Sequence, residues 1–411
     1  MKTVVSLVPL AMERDTRTIK IASSFARLGY RSVVVEALPS RRRDHAGIDL
    51  VTLGRVPPAT GGTPADRRPR AGVGSPWRQW LGERLHFALF LLRYFVALPL
   101  LALLRVPRAD LYYLHEYRLF PTVWLLRRLR GGAPLIYDAH DVYAEVWEPE
   151  QLSPFWRSRF VPLLLAMERA CAREARAVVT VGEGVAEAIG RWLAVAPVVL
   201  RNCHDDRLRQ SPPQTLRRHL GLPPDAVLVV VIGHRKPGQV LEPLAAALAD
   251  LPDRLHVAFV GSFYDVEVAE LAVRHNLSGR LHAPGAMASE QMVAYVADAD
   301  AAALLYWGHS ANTRYILPNG FFQSVAAGLP LLYPDLPELT RLVGGRNLGW
   351  CIDPRDRLSL TLTLTALLAL DDVARQAVRA EVAAVASTLT WEGEESVLAS
   401  LTETILKEDE P

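Results

Sequence analysis

VLVVVIG, residues 227–233, is apolar at every position, and its reading decides the fold. Successive side chains of a strand point to opposite faces, so a run of this kind needs cover on both. That is the condition of a parallel sheet with helices on either side. PPDA (223–226) leads into the run, and a helix with Leu241, Leu244, Ala247 and Leu248 at helical spacing follows it. HVAFVG (256–261), a helix over 265–275, RLHAPG (280–285), a helix over 289–297, AALLY (302–306) and PLLYP (330–334) continue the alternation. The chain between 372 and 408 reads as helical, interrupted near Leu389-Thr390-Trp391.

The same alternation fills the first half. TVVSLV (3–8) is a short buried strand, and a helix with Ile19, Ala22, Phe25 and Ala26 on one face stops at Gly29. SVVVEA (32–37), LVTL (50–53), DLYYLH (110–115), PLIYDAH (134–140), AVVTV (177–181) and VVL (198–200) read as further strands. Between them lie helices over roughly 119–129 and 155–175. Strands and helices alternating in both halves predict an α/β protein of two Rossmann-like, doubly wound domains. The polar, turn-rich CHDDRLRQSPPQ from Cys203 onward marks the junction. The predicted organisation is 1–205, 206–385 and a terminal helical piece 386–411.

Composition narrows the function classes. The 411 residues carry 46 basic and 44 acidic side chains, a net charge of +2. A dedicated nucleic-acid binder needs a strong basic excess, so no nucleic-acid partner is expected. Cys171, Cys203 and Cys351 have neither metal-ligand spacing nor an even count, which predicts a reducing, cytoplasmic setting. Lys2 and the short run TVVSLVP, followed by the charged AMERDTR, do not make a signal peptide.

LHFALFLLRYFVALPLLALL (85–104) has the length of a bilayer span. Arg93 and Pro99 within it, and its place between strands of one sheet, predict instead a helix packed in the first domain. Residues 54–80 are rich in Pro, Gly and Arg and read as a loop. With Arg67, Arg68, Arg70 and Arg78 just upstream, the loop and the helix together are expected to make a peripheral contact with an anionic membrane surface, at the inner face of the membrane.

In doubly wound sheets ligands sit beyond the carboxyl ends of the strands. The residues there are Asp15 and Arg17 after the first strand, His115 in LHE, and Asp138, His140, Asp141 and Glu145 in YDAHDVYAE. In the second half they are Gly233, His234, Arg235, Lys236 and Gly238, and the stretch NTRYILPNGFFQSVAAGLP (312–330). Arg235 and Lys236 beside Gly238 suit a phosphate, because glycine admits close backbone approach and the cations neutralise charge. A helix starting near Gly320 would aim free amides at an anion.

Together these motifs resemble the family-4-type retaining glycosyltransferases, over nearly the full length. YDAHDVYAE is similar to that group's "yDaHDl" segment. DTRTIKIASSFARLGYRSVVV is similar to its opening, and VVTVGEGVAEAIG with VVLRN to its passage at the end of the first domain. YILPNGFFQSVAAGLPLL is similar to "y-x-l-P-N-K-x-f-E-y-m-a-a-G-x-P-v", and LTWEGEESVLASL to its closing helix. The resemblance implies a GT-B architecture, two domains facing across a cleft, with 386–411 crossing back to the first. It implies transfer of a sugar from a nucleotide-diphosphate sugar to a small-molecule or glycan acceptor, with retention, no bound cofactor and no metal. The donor would be held by Gly233, His234, Arg235, Lys236, Asn312, Arg314, Asn319, Gly320, Phe321 and Gln323. Asp15, Arg17 and His115 would bind the acceptor, and His140, with Asp138 and Asp141, would act at the donor sugar.

The chain departs from the pattern in the donor loop. The family's ribose-binding glutamate falls on Gln323, its preceding lysine on Gly320, its earlier glutamate on Tyr315, and the lysine after the first strand of the second domain on Gln239. The alternative these departures motivate is a catalytically weak sugar-nucleotide- or partner-binding protein on the same fold. A nucleotide-sugar epimerase is a third reading, but it calls for acidic groups in 312–323, where there are none.

Overall fold

The computed structural model describes residues 1–41, 45–54, 76–146 and 153–409; of 76–79 and 146 it describes the backbone alone. It contains two parallel sheets. The first has the order β3-β2-β1-β4-β5-β6-β7. Its strands are β1 (Thr3–Val8), β2 (Arg31–Glu36), β3 (Ile48–Thr52), β4 (Leu111–Leu114), β5 (Leu135–Asp138), β6 (Ala177–Thr180) and β7 (Val198–Val199). The second has the order β10-β9-β8-β11-β12-β13, with β8 (Val227–Ile232), β9 (Leu255–Val260), β10 (Leu281–Gly285), β11 (Ala301–Ala303), β12 (Leu331–Pro334) and β13 (Gly349–Ile352). The strand order reverses direction between β1 and β4 in one sheet and between β8 and β11 in the other. Those are the switch points where ligands bind in such sheets.

The second sheet shows why β8 is apolar throughout. Leu228, Val230 and Ile232 enter one core, with Val260, Phe321 and Leu331. Val227, Val229 and Val231 enter another, with Phe259, Leu244 and Leu364. Both faces are sealed, as the sequence predicts.

The chain divides into two compact units. One holds Met1–Val181, Val185–Leu200 and the chain from Glu395 on; the other holds Gly182–Gly184 and Arg201–Glu394. The junction therefore falls a few residues earlier than the sequence reading drew it, at Leu200-Arg201. The terminal helix Trp391–Glu408 is shared: Trp391, fully buried, belongs with the second unit. Further along, Glu395 accepts from Ser24 Oγ (2.5 Å) and Arg27 Nε (3.0 Å) in the first. Of the predicted terminal piece 386–411, the part from Glu395 on lies with the first unit.

β13 and the helix Arg357–Leu368 are among the elements that escaped the sequence, as are the helices Glu183–Leu193 and Pro337–Val343. β13 is four residues long and only its last residue is buried, so its apolar run is too short to stand out. Gly349 (φ 136°) lies so close to the Leu331 backbone that any Cβ there would collide. The helix Arg357–Leu368 buries only every third or fourth residue of a stretch dense in Leu and Thr.

A third reading needs correction. The segment 85–104 is helical but packs on one side only. Tyr94, Leu98, Pro99 and Ala102 are buried, whereas Leu85, Leu89, Leu92 and Leu100 are each more than half exposed. Arg93 turns inward and donates to the Ala37 carbonyl at 3.3 Å. Of the predicted loop, 55–75 lies outside the described residues, as do Arg67, Arg68, Arg70 and the Arg78 side chain.

Leu228→Ala should lower the stability of the second unit by about 2–5 kcal/mol, the cost of a cavity under a sealed sheet. Denaturant unfolding followed by a probe in that unit checks this; a midpoint within error of the wild type would refute the sealed core.

Candidate functional site

In the first unit the chemistry gathers at the carboxyl ends of β1, β4 and β5. Asp15 caps the helix Thr16–Arg27, accepting from Arg17 N (3.0 Å), Thr18 N (3.4 Å) and Thr18 Oγ1 (2.7 Å). Burial pushes its carboxyl up. His115, His140 and the Thr18 bonds outweigh that, and its pKa lies below the usual value. Arg17 points inward and is 3% exposed. It grips Asp138 with two bonds, Nε to Oδ2 at 2.7 Å and Nη2 to Oδ1 at 3.0 Å, and donates through Nη1 to the Leu200 carbonyl at 2.8 Å. Tyr113 adds a third bond to Asp138, from its hydroxyl to Oδ2 at 3.0 Å.

His115 is 1% exposed, with Nδ1 3.7 Å from Asp138 Oδ2 and neither ring nitrogen hydrogen-bonded. Burial lowers its pKa to about 4, against the pull of Asp15 and Asp138, so it is neutral at pH 7. His140 is only half-buried. Its Nε2 lies 3.5 Å from the Tyr143 hydroxyl, and its Nδ1 is buried with no partner. Asp141 is exposed.

The structure thus brings Asp15, Arg17, His115, Asp138 and His140 together but sorts their roles. Arg17, His115 and Asp138 have no surface to offer an acceptor or a sugar, and the assignment of binding or catalysis to them is corrected to positioning. His140 and Asp15 lie at the accessible rim. Tyr113 was missed, although the two-residue period of a strand puts it on the same face of β4 as His115.

In the second unit the loop after β8 is stapled. Gln239, 5% exposed, accepts at Oε1 from Lys236 N (2.9 Å) and from the Tyr264 hydroxyl (3.1 Å). Arg235 is already paired. It donates to Glu267 through Nε (2.6 Å) and Nη2 (3.2 Å), and through Nη1 to the Lys236 carbonyl (2.5 Å). Its reading as a free phosphate cation is corrected: Glu267 neutralises it. Lys236 is exposed, with no side-chain partner among the described residues. His234 is exposed and accepts from Ser262 N at 3.3 Å; burial and then the Lys236 charge lower its pKa. Gly233 turns the chain with φ 120°.

The helix Asn319–Ala326 begins where β8 ends. A Cβ on Gly320 would run into the Ile232 carbonyl, so glycine here permits a close approach of helix to strand. The Phe321 side chain is fully buried in the core, which leaves only its backbone to meet a donor. Gln323 opens the second turn, not the first, and is 8% exposed. Its Nε2 donates to Ser289 Oγ at 3.2 Å, and its Oε1 makes no bond among the described residues. Asn319 is exposed and accepts from Asn202 Nδ2 at 2.6 Å. Asn312 is half-buried in the short helix Ala311–Arg314, which Ser310 and Thr313 close with a capping box. Arg314 is exposed beside the Tyr315 ring and lines a hollow of about 760 Å³ with Trp307, Arg341 and Arg355. Among the described residues no three His, Cys, Asp or Glu side chains stand together to hold a metal.

Residues 15–203 match the family model described as a glycosyl transferase 4-like domain. The whole chain superposes on solved GT-B structures. HepE of Anabaena, in complex with UDP and glucose, matches at 16% identity and TM-score 0.66, covering 98% of this chain and 100% of that one. Sucrose-phosphate synthase of Thermosynechococcus elongatus matches at 16% and 0.70, covering 99% and 100%. WaaG, a glycosyltransferase involved in lipopolysaccharide biosynthesis, matches at 16% and 0.65, covering 97% and 99%. The fold is that of the GT-B glycosyltransferases. No curated protein sequence matches the chain.

Because His115 is held near pKa 4 when folded and has an ordinary value near 6.5 when unfolded, the unfolded state binds the extra proton between those values. The first unit is therefore fully stable above about pH 6.5 and loses up to about 1.4 kcal/mol per pH unit below it. His115→Gln should flatten that slope between pH 6.5 and 4.5. An unchanged slope in urea melts across this range would show that the imidazole is not the titrating group.

Proposed function

We propose that the chain transfers a sugar from a nucleotide-diphosphate sugar to a hydroxyl of a lipid-linked glycan or a soluble natural product, with retention at the anomeric carbon. The observation that carries this reading is the contact of Gly320 with the end of β8. It brings the amino end of an eight-residue helix to the switch point of the second sheet, where amides and the helix dipole favour a diphosphate. Lys236 supplies a mobile cation for the same charge. The Gln323 carbonyl oxygen accepts from ribose hydroxyls, while Ser289 fixes the amide end.

In this mechanism the bond from the anomeric carbon to the diphosphate breaks, and the acceptor oxygen bonds that carbon on the same face. The acceptor proton passes to the leaving phosphate, so no protein nucleophile is needed. Stabilising the departing charge is the main lever. On the first unit His140 lies with Asp15 at the accessible rim of its cluster, and it supports the developing charge on the sugar. The buried Arg17–Asp138 pair and neutral His115 hold the turn that carries it.

UDP, the nucleotide bound by HepE, is the first to test. A thermal-shift panel of UDP, GDP and ADP finds the nucleotide by the stabilisation it gives. In titration calorimetry with it, Gln323→Ala should weaken binding by about 1–2 kcal/mol, one buried hydrogen bond. Unchanged affinity would show that the ribose is held elsewhere.

His140→Ala should reduce release of nucleotide diphosphate from the matching nucleotide sugar by more than about 10-fold, with nucleotide affinity nearly unchanged. Wild-type turnover in this variant would remove His140 from the reaction.

A further inference from the structure

The helical segment Trp80–Arg105 is 26 residues long, and only 17% of its most apolar window is buried. At 1.5 Å per residue it runs about 39 Å. Leu81, Leu85, Leu89, Leu92, Val96 and Leu100 are 45–58% exposed, and Leu104 is 83% exposed. Their spacing of three or four residues lines them up as one stripe. The wide turn Leu92–Ala97, π-helical in its bonding, keeps successive four-residue steps on that line. The opposite side packs through Tyr94, Leu98, Pro99 and Ala102, in part on the helix Phe120–Leu129.

Charge is absent from the stripe, and arginines stand at its ends, beside Glu83 at the first. From Leu85 to Leu104 the one charged residue is Arg93, which is turned inward onto Ala37. At one end Arg84 stacks on the exposed Trp80 ring at 4.0 Å; at the other, Arg105 and Arg108 are exposed. Arg157 and Arg159 are exposed on the adjoining turn Trp156–Phe160, which meets the helix through Phe90 and Phe160 at 4.9 Å.

We propose that this stripe seats the protein on a lipid bilayer, lying in the plane of the interface with its leucines in the acyl layer and its arginines among anionic headgroups. A crossing orientation does not fit. β3 before the helix and β4 after it belong to one sheet, and one side of the helix is built into that unit. Charge complementarity favours lipid: an uncharged stripe bordered by tryptophan and arginine matches acyl chains bordered by anionic headgroups. The inference stands on the helix alone and is independent of the transfer reaction. It narrows the contact expected of loop and helix together to the apolar stripe of the helix, which salt would not release.

The test is flotation of the full-length protein with phosphatidylcholine vesicles, with and without phosphatidylglycerol. The protein should float with both, more completely with the anionic lipid. Most should remain bound in about 1 M NaCl, where screening leaves a Debye length of only ~3 Å. The triple variant Leu85→Asn, Leu89→Asn, Leu92→Asn should lose at least about 10-fold in partitioning, because three exposed side chains no longer gain from the acyl layer. Its circular dichroism and melting should match the wild type, and the single variant Leu89→Asp should fall between. Four outcomes would overturn the proposal: no flotation; binding abolished by salt; binding retained in the triple variant; or release only by detergent, which marks a crossing helix. A wild-type dimer that becomes a non-floating monomer in the triple variant would assign the stripe to a second copy of the chain, and would overturn it too.

Discussion

A charge taken out of water must find its partner there, and the first unit is organised around one such pair. Arg17 and Asp138 are both buried, bonded in parallel, and tied further to Tyr113 and to the Leu200 carbonyl. Four pieces of chain meet at this point: the helix after β1, the strand β4, the end of β5 and the residue after β7. Removing either charge would leave the other buried and alone, at a cost of about 3–5 kcal/mol. The pair is therefore less a source of stability than a constraint on geometry. It fixes where β5 ends, and so where His140 begins, with the Thr180 hydroxyl holding the Ala139 carbonyl between them at 2.6 Å.

The second unit reaches a comparable fixity without a buried ion pair. Gln239 staples the loop after β8, Glu267 pairs with Arg235, and the backbones of Gly320 and Ile232 lie against each other. Of the cations in this loop, Lys236 keeps its charge free. What looks in sequence like erosion of a basic site is in structure a hydrogen-bonded loop with Arg235 paired and Lys236 exposed.

The architecture was legible because burial on both faces leaves an unbroken apolar run, as at Val227–Ile232, and because helices and strands differ in period. The sorting of the candidate residues was not. A residue after a strand can point over the sheet edge or back under it, and Arg17 and His140 differ in this alone. Pairing across distance is equally silent: nothing near Arg235 announces Glu267, 32 positions on. For the helix of residues 85–104, composition gave apolar character, but only the packing shows that the unit has room for one side of it.

Gly320 also bears on attempts at redesign by consensus. The residue expected there is a lysine, and reverting to it looks like a simple restoration of charge. Helix and strand here lie so close that no side chain fits, so lysine is not a neutral choice at this position. Restoring a side chain at Gly320 would therefore have to begin by moving a backbone, whereas Gln239 and Gln323 already carry long side chains and face no such barrier.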